Sequence, residues 1–128
     1  MQLQFTKHYT RDEARALLPQ IREWLQTLQS DMGLLRDWDA RAGPRLAGGE
    51  DLGGEPVNTW VKTLAEVKRI LGRFHRFEIQ IKDIERGLID FPAFIGGKEV
   101  FLCWEKDEED IEYWHELNTG YSGRERLD

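Results

Sequence analysis

The hydrophobic pattern of this chain changes period part-way along, and that change decides what it can fold into. Ala14, Leu18, Ile21, Leu25, Leu28, Met32 and Leu35 recur at alternating steps of four and three, one stripe along a helix that Trp24 widens. Val57, Trp60, Leu64, Val67, Leu71 and Phe74 repeat the pattern, broadened by Val61 and Ile70. From Phe77 the step becomes two: Phe77, Ile79 and Ile81 alternate with Glu78, Gln80 and Lys82, as in a strand. A helical continuation through Ile81 and Ile84 also fits; the strand reading is preferred. Two apolar runs, Leu88–Ile95 and Val100–Trp104, flank Gly96-Gly97, a two-residue hairpin signal. Helices followed by strands give an α+β class, expected as a long antiparallel helical hairpin packed on a small three- to four-stranded antiparallel β-meander.

Local signals set the boundaries within a single domain over 1–128. Thr10-Arg11-Asp12-Glu13 reads as a capping box. Pro19 removes a backbone donor and disfavours helical geometry at Leu18, so residues 10–41 are expected to form a kinked helix. Residues 43–56 hold five glycines and two prolines, which predicts a flexible loop over 42–54. A second long helix over 55–76, a sheet over 77–117 and a polar tail over 118–128 complete the division.

Composition narrows the function classes. A single cysteine among 128 residues permits no intrachain disulfide, which suits a reducing compartment, and a cytoplasmic location is expected. The first eight residues lack the apolar run of a signal peptide, and nothing approaches the roughly 20 apolar residues that span a bilayer. The net charge of −6 repels phosphate backbones, so nucleic acid is an unlikely partner. Lys62, Arg69, Arg73 and Arg76, with Lys68 and His75 nearby, form the one phosphate-facing patch. Glu23, Asp31, Asp37 and Asp39 of the first helix are expected to neutralise it.

The strand registers bear directly on chemistry. A two-residue turn at Gly96-Gly97 places Asp90 across from Cys103, Phe91 from Leu102 and Ile89 from Trp104. A loop at 106–109 would place Trp104 across from Ile111 and Leu102 from Tyr113. One face then carries Ile89, Phe91, Ala93, Val100, Leu102, Trp104, Ile111, Tyr113 and His115 against the helices. The other carries Asp90, Pro92, Phe94, Phe101, Cys103, Glu105, Glu112, Trp114 and Glu116. Its mixture of aromatics and carboxylates predicts a contact surface.

Asp90, Cys103 and His115 supply the residue types of a metal site or a cysteine nucleophile, but this register turns His115 away from Cys103. Cys103 then reads as a small apolar core residue and His115 as a core histidine with satisfied hydrogen bonds. Asp90 interrupts an apolar strand and needs a partner, expected to be Arg124, Lys82 or backbone N–H groups. Asp107-Glu108-Glu109-Asp110 lacks the alternating ligands and glycine of a calcium loop and reads as a solvated turn. No phosphate-binding glycine loop is present. No cofactor or metal is predicted.

Gly87-Leu88-Ile89-Asp90-Phe91-Pro92-Ala93, Leu102-Cys103-Trp104, Glu108, Trp114-His115-Glu116 and Gly120-Tyr121-Ser122-Gly123-Arg124 resemble the signature of small bacterial proteins known as domain of unknown function 2203. Glu13-Ala14, Leu18-Pro19 and Lys82-Asp83 also look like that family. The resemblance implies a bacterial origin and a polar site near the sheet and tail, drawn from Asp83, Asp90, Cys103, Trp104, Trp114, His115, Gly123 and Arg124. It implies no activity. Two departures, Asp107 in place of a turn glycine and Arg76-Phe77 in place of a helix-ending glycine, bear on the hairpin register and the helix-to-strand boundary. The leading functional expectation is a non-enzymatic interaction module that forms a homodimer through the mixed sheet face or the helical hairpin. The alternative is a small-ligand- or metal-binding protein or enzyme built around Asp90, His115 and Arg124.

Overall fold

The computed structural model describes residues 2–47, 49 and 54–128. Helix α1 spans Arg11–Ala47 and opens on the expected capping box: the Glu13 N–H donates to Thr10 Oγ1 at 3.1 Å and the Thr10 N–H to Glu13 Oε1 at 2.9 Å. The helix passes Pro19 and the expected end at Arg41 without a break in its helical residues. Pro19 sits on the exposed side, where water can take the carbonyl it leaves unbonded, while buried Leu18 and Ile21 hold the opposite side. Beyond Arg41, Ala42 is buried, and packing carries the helix through the stretch expected as a loop. The remainder of that loop, Gly48 and residues 50–53, lies outside the described residues.

Helix α2 spans Glu55–Arg76, with Pro56 in its first turn, where no donor is lost. Its end explains the missing glycine. The N–H groups of Glu78 and Ile79 return to the carbonyls of His75 and Phe74 at 3.0 and 3.1 Å, and Glu78 takes the left-handed conformation with φ 58°. The Glu78 carboxylate accepts the N–H groups of Thr6 and Lys7 at 3.0 and 2.9 Å and the Thr6 hydroxyl, tethering that backbone position to the N-terminal segment. The sheet accordingly starts at Gln80 rather than at Phe77.

Five strands follow in chain order, all antiparallel: β1 Gln80–Asp83, β2 Leu88–Ile95, β3 Lys98–Glu105, β4 Tyr113–Glu116 and β5 Glu125–Arg126. The sheet is therefore larger than the three or four strands expected. The polar tail supplies the fifth strand, held by the Leu127 N–H on the Glu112 carbonyl at 2.7 Å. The class is α+β, two helices and a five-stranded sheet. One core joins Leu18, Ile21, Leu25 and Leu28 of α1 and Ile70 and Phe74 of α2 to Ile89, Phe91, Val100, Leu102 and Trp104. Trp24 meets Phe74 edge-on at 5.3 Å, and Trp38 stacks on Trp60 at 5.2 Å. No helix among the described residues is long and apolar enough to cross a membrane.

Residues 4–9 form a strap over the other sheet face. The N–H groups of Gln4 and Phe5 and the Nε2 of His8 converge on the Glu99 carboxylate at 2.8, 3.1 and 2.7 Å. Phe5 packs on Phe101 at 5.4 Å, His8 stacks on Phe94 at 4.0 Å, and the Tyr9 N–H donates to the Pro92 carbonyl. Phe101 is consequently buried, while Phe94 remains 46% exposed.

Candidate functional site

The β2–β3 pairing matches the sequence reading at every expected position: Asp90 opposes Cys103, Phe91 opposes Leu102 and Ile89 opposes Trp104. The β3–β4 pairing is displaced by one residue. Leu102 opposes Trp114, Cys103 opposes Tyr113 and Phe101 opposes His115. Because strand side chains alternate, this displacement exchanges the faces of β4. His115 and Tyr113 join Asp90 and Cys103, while Trp114 turns to the helix side and packs against the core.

The displacement originates in the acidic segment between β3 and β4, which is a built loop rather than a solvated turn. Glu108 accepts the Glu105 N–H at 2.8 Å on its carboxylate, and its carbonyl takes Trp104 Nε1–H at 2.9 Å and the Arg22 guanidinium at 2.9 Å. Arg124 closes on the same carboxylate at 2.9 Å. Asp110 holds Arg15 at 2.7 Å, and Ile111 is fully buried from within the loop instead of pairing in β4. These anchors lengthen the connection, and β4 begins at Tyr113.

The result is a buried cluster on the strap side of the sheet. The side chains of Asp90, Cys103 and His115 each offer one donor atom, all within 4.8 Å of one another, and the three residues are 1%, 0% and 2% exposed. The partner of Asp90 is His115, not Arg124, Lys82 or the backbone: Nε2 lies 2.8 Å from Oδ2. The other nitrogen, Nδ1, lies 2.7 Å from the Glu116 carbonyl. A carbonyl can only accept, so Nδ1 carries a hydrogen. Nε2 and Oδ2 then share one further proton, held by the ring or by the carboxyl group. Burial alone would pull the His115 pKa down, but its bonds to Asp90 and the Glu116 carbonyl outweigh this and raise it. Burial, then the Asp90 charge, pushes the Cys103 thiol up to about 12, against the opposing influence of Arg124. The second carboxylate oxygen, Oδ1 of Asp90, is buried without a hydrogen-bond partner.

The other expected site residues are placed around this cluster or apart from it. Arg124 lies against the rings of Tyr113 and Tyr121, 3.8 and 4.2 Å from their centres, and bonds Glu108. Trp104 is fully buried on the helix side beneath the Arg22 guanidinium. Asp83 accepts the Arg86 N–H at 3.0 Å in the β1–β2 turn and does not reach the cluster. A Cβ at Gly123 would stand 2.8 Å from Thr119, so this position serves close packing. The expected charge match between the helices survives only as the attraction of Arg69 for Asp31, and no ion pair joins the named residues of the two helices among the described residues. Arg69 pairs with Glu66 of its own helix at 3.4 Å, and burial, then the neighbouring Glu66, raises the Asp31 pKa to about 6 against the opposing pull of Arg69. Glu78 and Glu99, which hold the strap, carried no sequence signal, since neither lies in a motif or interrupts an apolar run.

The sequence model of an uncharacterized conserved protein family, DUF2203, matches residues 7–127. The chain belongs to DUF2203. Neither a curated protein nor a solved structure matches it. For this DUF2203 chain the buried Asp90–Cys103–His115 cluster is the chemically equipped place, and the only such three-ligand group among the described residues.

Proposed function

We propose that this protein binds one divalent transition metal of the zinc class through Asp90, Cys103 and His115. The observation that carries this reading is the unpartnered Oδ1 of Asp90, a buried acceptor beside an imidazole and a thiol. A buried carboxylate oxygen with only a weak thiol donor nearby is poorly served, and a cation held with that sulfur would satisfy it better. The ligand set suits zinc, cobalt(II) or iron(II): sulfur and imidazole exclude magnesium and calcium, which prefer oxygen. Tetrahedral coordination separates donor atoms by about 3.2–3.8 Å, so side-chain adjustments within the observed 4.8 Å spread suffice. The Nδ1–H bond to the Glu116 carbonyl is the second contact that metal-bound histidines make, and it leaves Nε2 for the ion.

Charge balance also favours the exchange. Before binding, the cluster holds a thiol and the proton shared by Asp90 and His115, and is neutral overall. A divalent ion that displaces both protons leaves carboxylate, thiolate, neutral imidazole and metal, again neutral, so no net charge is buried. A cytoplasmic, reducing setting would keep Cys103 available as a ligand.

The test is native mass spectrometry beside the denatured mass, with metal content measured on the same sample. One zinc per chain, lost on denaturation and absent from Asp90→Asn and Cys103→Ser variants that still fold, is the expected result. A wild-type chain that retains no zinc, cobalt or iron after incubation with micromolar metal would overturn the proposal.

A second reading, homodimerisation, rests on the outer ends of the two helices, which we read as an antiparallel hairpin. Leu34 and Val61 are 53% and 52% exposed beside a groove of about 550 Å³ lined by Trp38, Ala42 and Trp60. Beyond Leu28 and Val67, among the described residues, only partly buried Met32 and Leu35 of the two helices pack against the sheet core. Two helices alone cover an apolar stripe poorly, and a second copy would complete a four-helix arrangement. A monomer at 100 micromolar in the same mass spectra would remove this reading.

A further inference from the structure

We propose that the cavity between the strap, α1 and the end of α2 binds a small aromatic anion, a flat ring bearing a phosphate or carboxylate group. The cavity has a volume of about 370 Å³ and is lined by Lys7, Trp24, Arg73, Arg76 and Phe77. Lys7 Nζ lies 5.7 Å from the centre of the Phe77 ring, and the Arg73 guanidinium 5.8 Å from that of Trp24. None of the three cations has an ion-pair partner among the described residues, although the chain as a whole carries −6. Of the nearby acids, Glu66 pairs with Arg69 and Glu78 holds the backbone N–H groups of Thr6 and Lys7, while Glu23 lines the adjoining cavity with Arg73 without forming an ion pair with it.

The basic residues in the last turn of α2 suit the negative end of the helix dipole and need no ligand to explain them. Lys7 is different, because a separate segment brings it to the same cavity and the Glu78 carboxylate fixes the backbone there. Three unneutralised cations converging on two aromatic faces match a ligand that offers negative charge and a π-surface together. In addition, the indole Nε1–H of Trp24, a lining residue of the cavity, is buried and lacks an acceptor. The site is separate from the Asp90 cluster and does not depend on a metal being bound there.

Phenyl phosphate is the probe, with inorganic phosphate and benzyl alcohol as its charged and aromatic halves, read by the indole N–H signals of the isotope-labelled protein. The expected result is a saturable shift of the Trp24 indole with phenyl phosphate. Affinity should be at least tenfold weaker for either half and for an Arg73→Gln/Arg76→Gln variant, and unchanged for Lys62→Gln. Arg76 is exposed and Arg73 partly exposed, and amide spectra of the variants confirm the fold. No Trp24 shift at millimolar phenyl phosphate would overturn the proposal. So would equal binding of inorganic phosphate or benzyl alcohol, or unchanged affinity in the double variant.

Discussion

Replacing Glu99 with glutamine is expected to detach the strap while leaving the sheet folded. The Glu99 carboxylate is 7% exposed at its side chain, and its two oxygens accept three donors: the Gln4 N–H, the Phe5 N–H and the His8 ring. Glutamine has the same shape but turns one oxygen into a donor, so at least one strap donor would face another donor. A hydrogen bond to a charged group is worth about 1.5–3 kcal/mol net. The partly exposed strap can regain water, so a loss of about 2–3 kcal/mol of docking free energy is the reasonable figure. That corresponds to a roughly 30- to 150-fold fall in hydrogen-exchange protection at Gln4 and Phe5. Protection of the β2–β3 amides should change far less, because only the Tyr9 N–H to Pro92 carbonyl bond links strap and sheet backbone.

Acid should have the same effect without a mutation. Glu99 and Glu78 both lie below the usual carboxylate range. Burial raises Glu99, but the bonds from Gln4, His8 and Phe5 overcome this; for Glu78 the Thr6 hydroxyl is the leading cause. A depressed carboxylate contributes stability that is fully present above its unfolded value and is lost as pH falls through its folded value. Strap protection should therefore hold at pH 7 and fall below the ordinary carboxylate value of 4.5. Equal protection of Gln4 and Phe5 in wild type and Glu99→Gln at pH 7, or wild-type protection that does not fall on acidification, would refute the view that carboxylates hold the strap.

Removing Asp90 with Ala should cost about 3–5 kcal/mol, because His115 is left buried without its partner; urea unfolding measures it, and an Asp90→Asn/His115→Gln pair should recover part of the loss. Asp31→Asn should stabilise the protein at pH 8 more than at pH 5. The Asp31 pKa is raised to about 6, so its contribution is favourable below the unfolded value and is lost as pH rises through 6; urea midpoints at the two pH values test the sign. Glu78→Gly should relieve the left-handed backbone at φ 58° yet lower exchange protection at Thr6 and Lys7. Zinc should slow exchange at Asp90, Cys103 and His115 together in the wild-type chain and at none of them in Cys103→Ser.

What was legible in the sequence was whatever local chemistry specifies by itself. The capping box at Thr10 and Glu13 and the Gly96-Gly97 turn each act within a few residues, and both formed as their spacing requires. The glycine pair takes φ 59° and 77°, the left-handed conformations a two-residue hairpin demands, and so fixes all eight pairs of β2 and β3. Pro19 and Gly43 misled because intrinsic preference is weak beside packing: an exposed proline and a buried Ala42 leave the helix more to gain by continuing.

The functional site turned on a single residue of register that no local rule supplies. The loop after β3 has no glycine to define a turn, and its path is set by distant partners: Arg22 and Arg15 from α1 and Arg124 from the tail. Those contacts exist only once helices and tail are docked, so a loop length read from the acidic run alone was short. One residue of error places His115 among the helices, where it has no chemistry, and leaves Asp90 seeking a cation. The true register places an imidazole 2.8 Å from that carboxylate with the chain's only cysteine beside them. Asp90 was the usable clue, since a carboxylate inside an apolar strand requires a partner on its own face. Opposite Cys103, with β4 the next strand, that requirement could be met by His115 only if β4 was displaced, so the polar interruption in β2 was evidence about the pairing of β3 with β4.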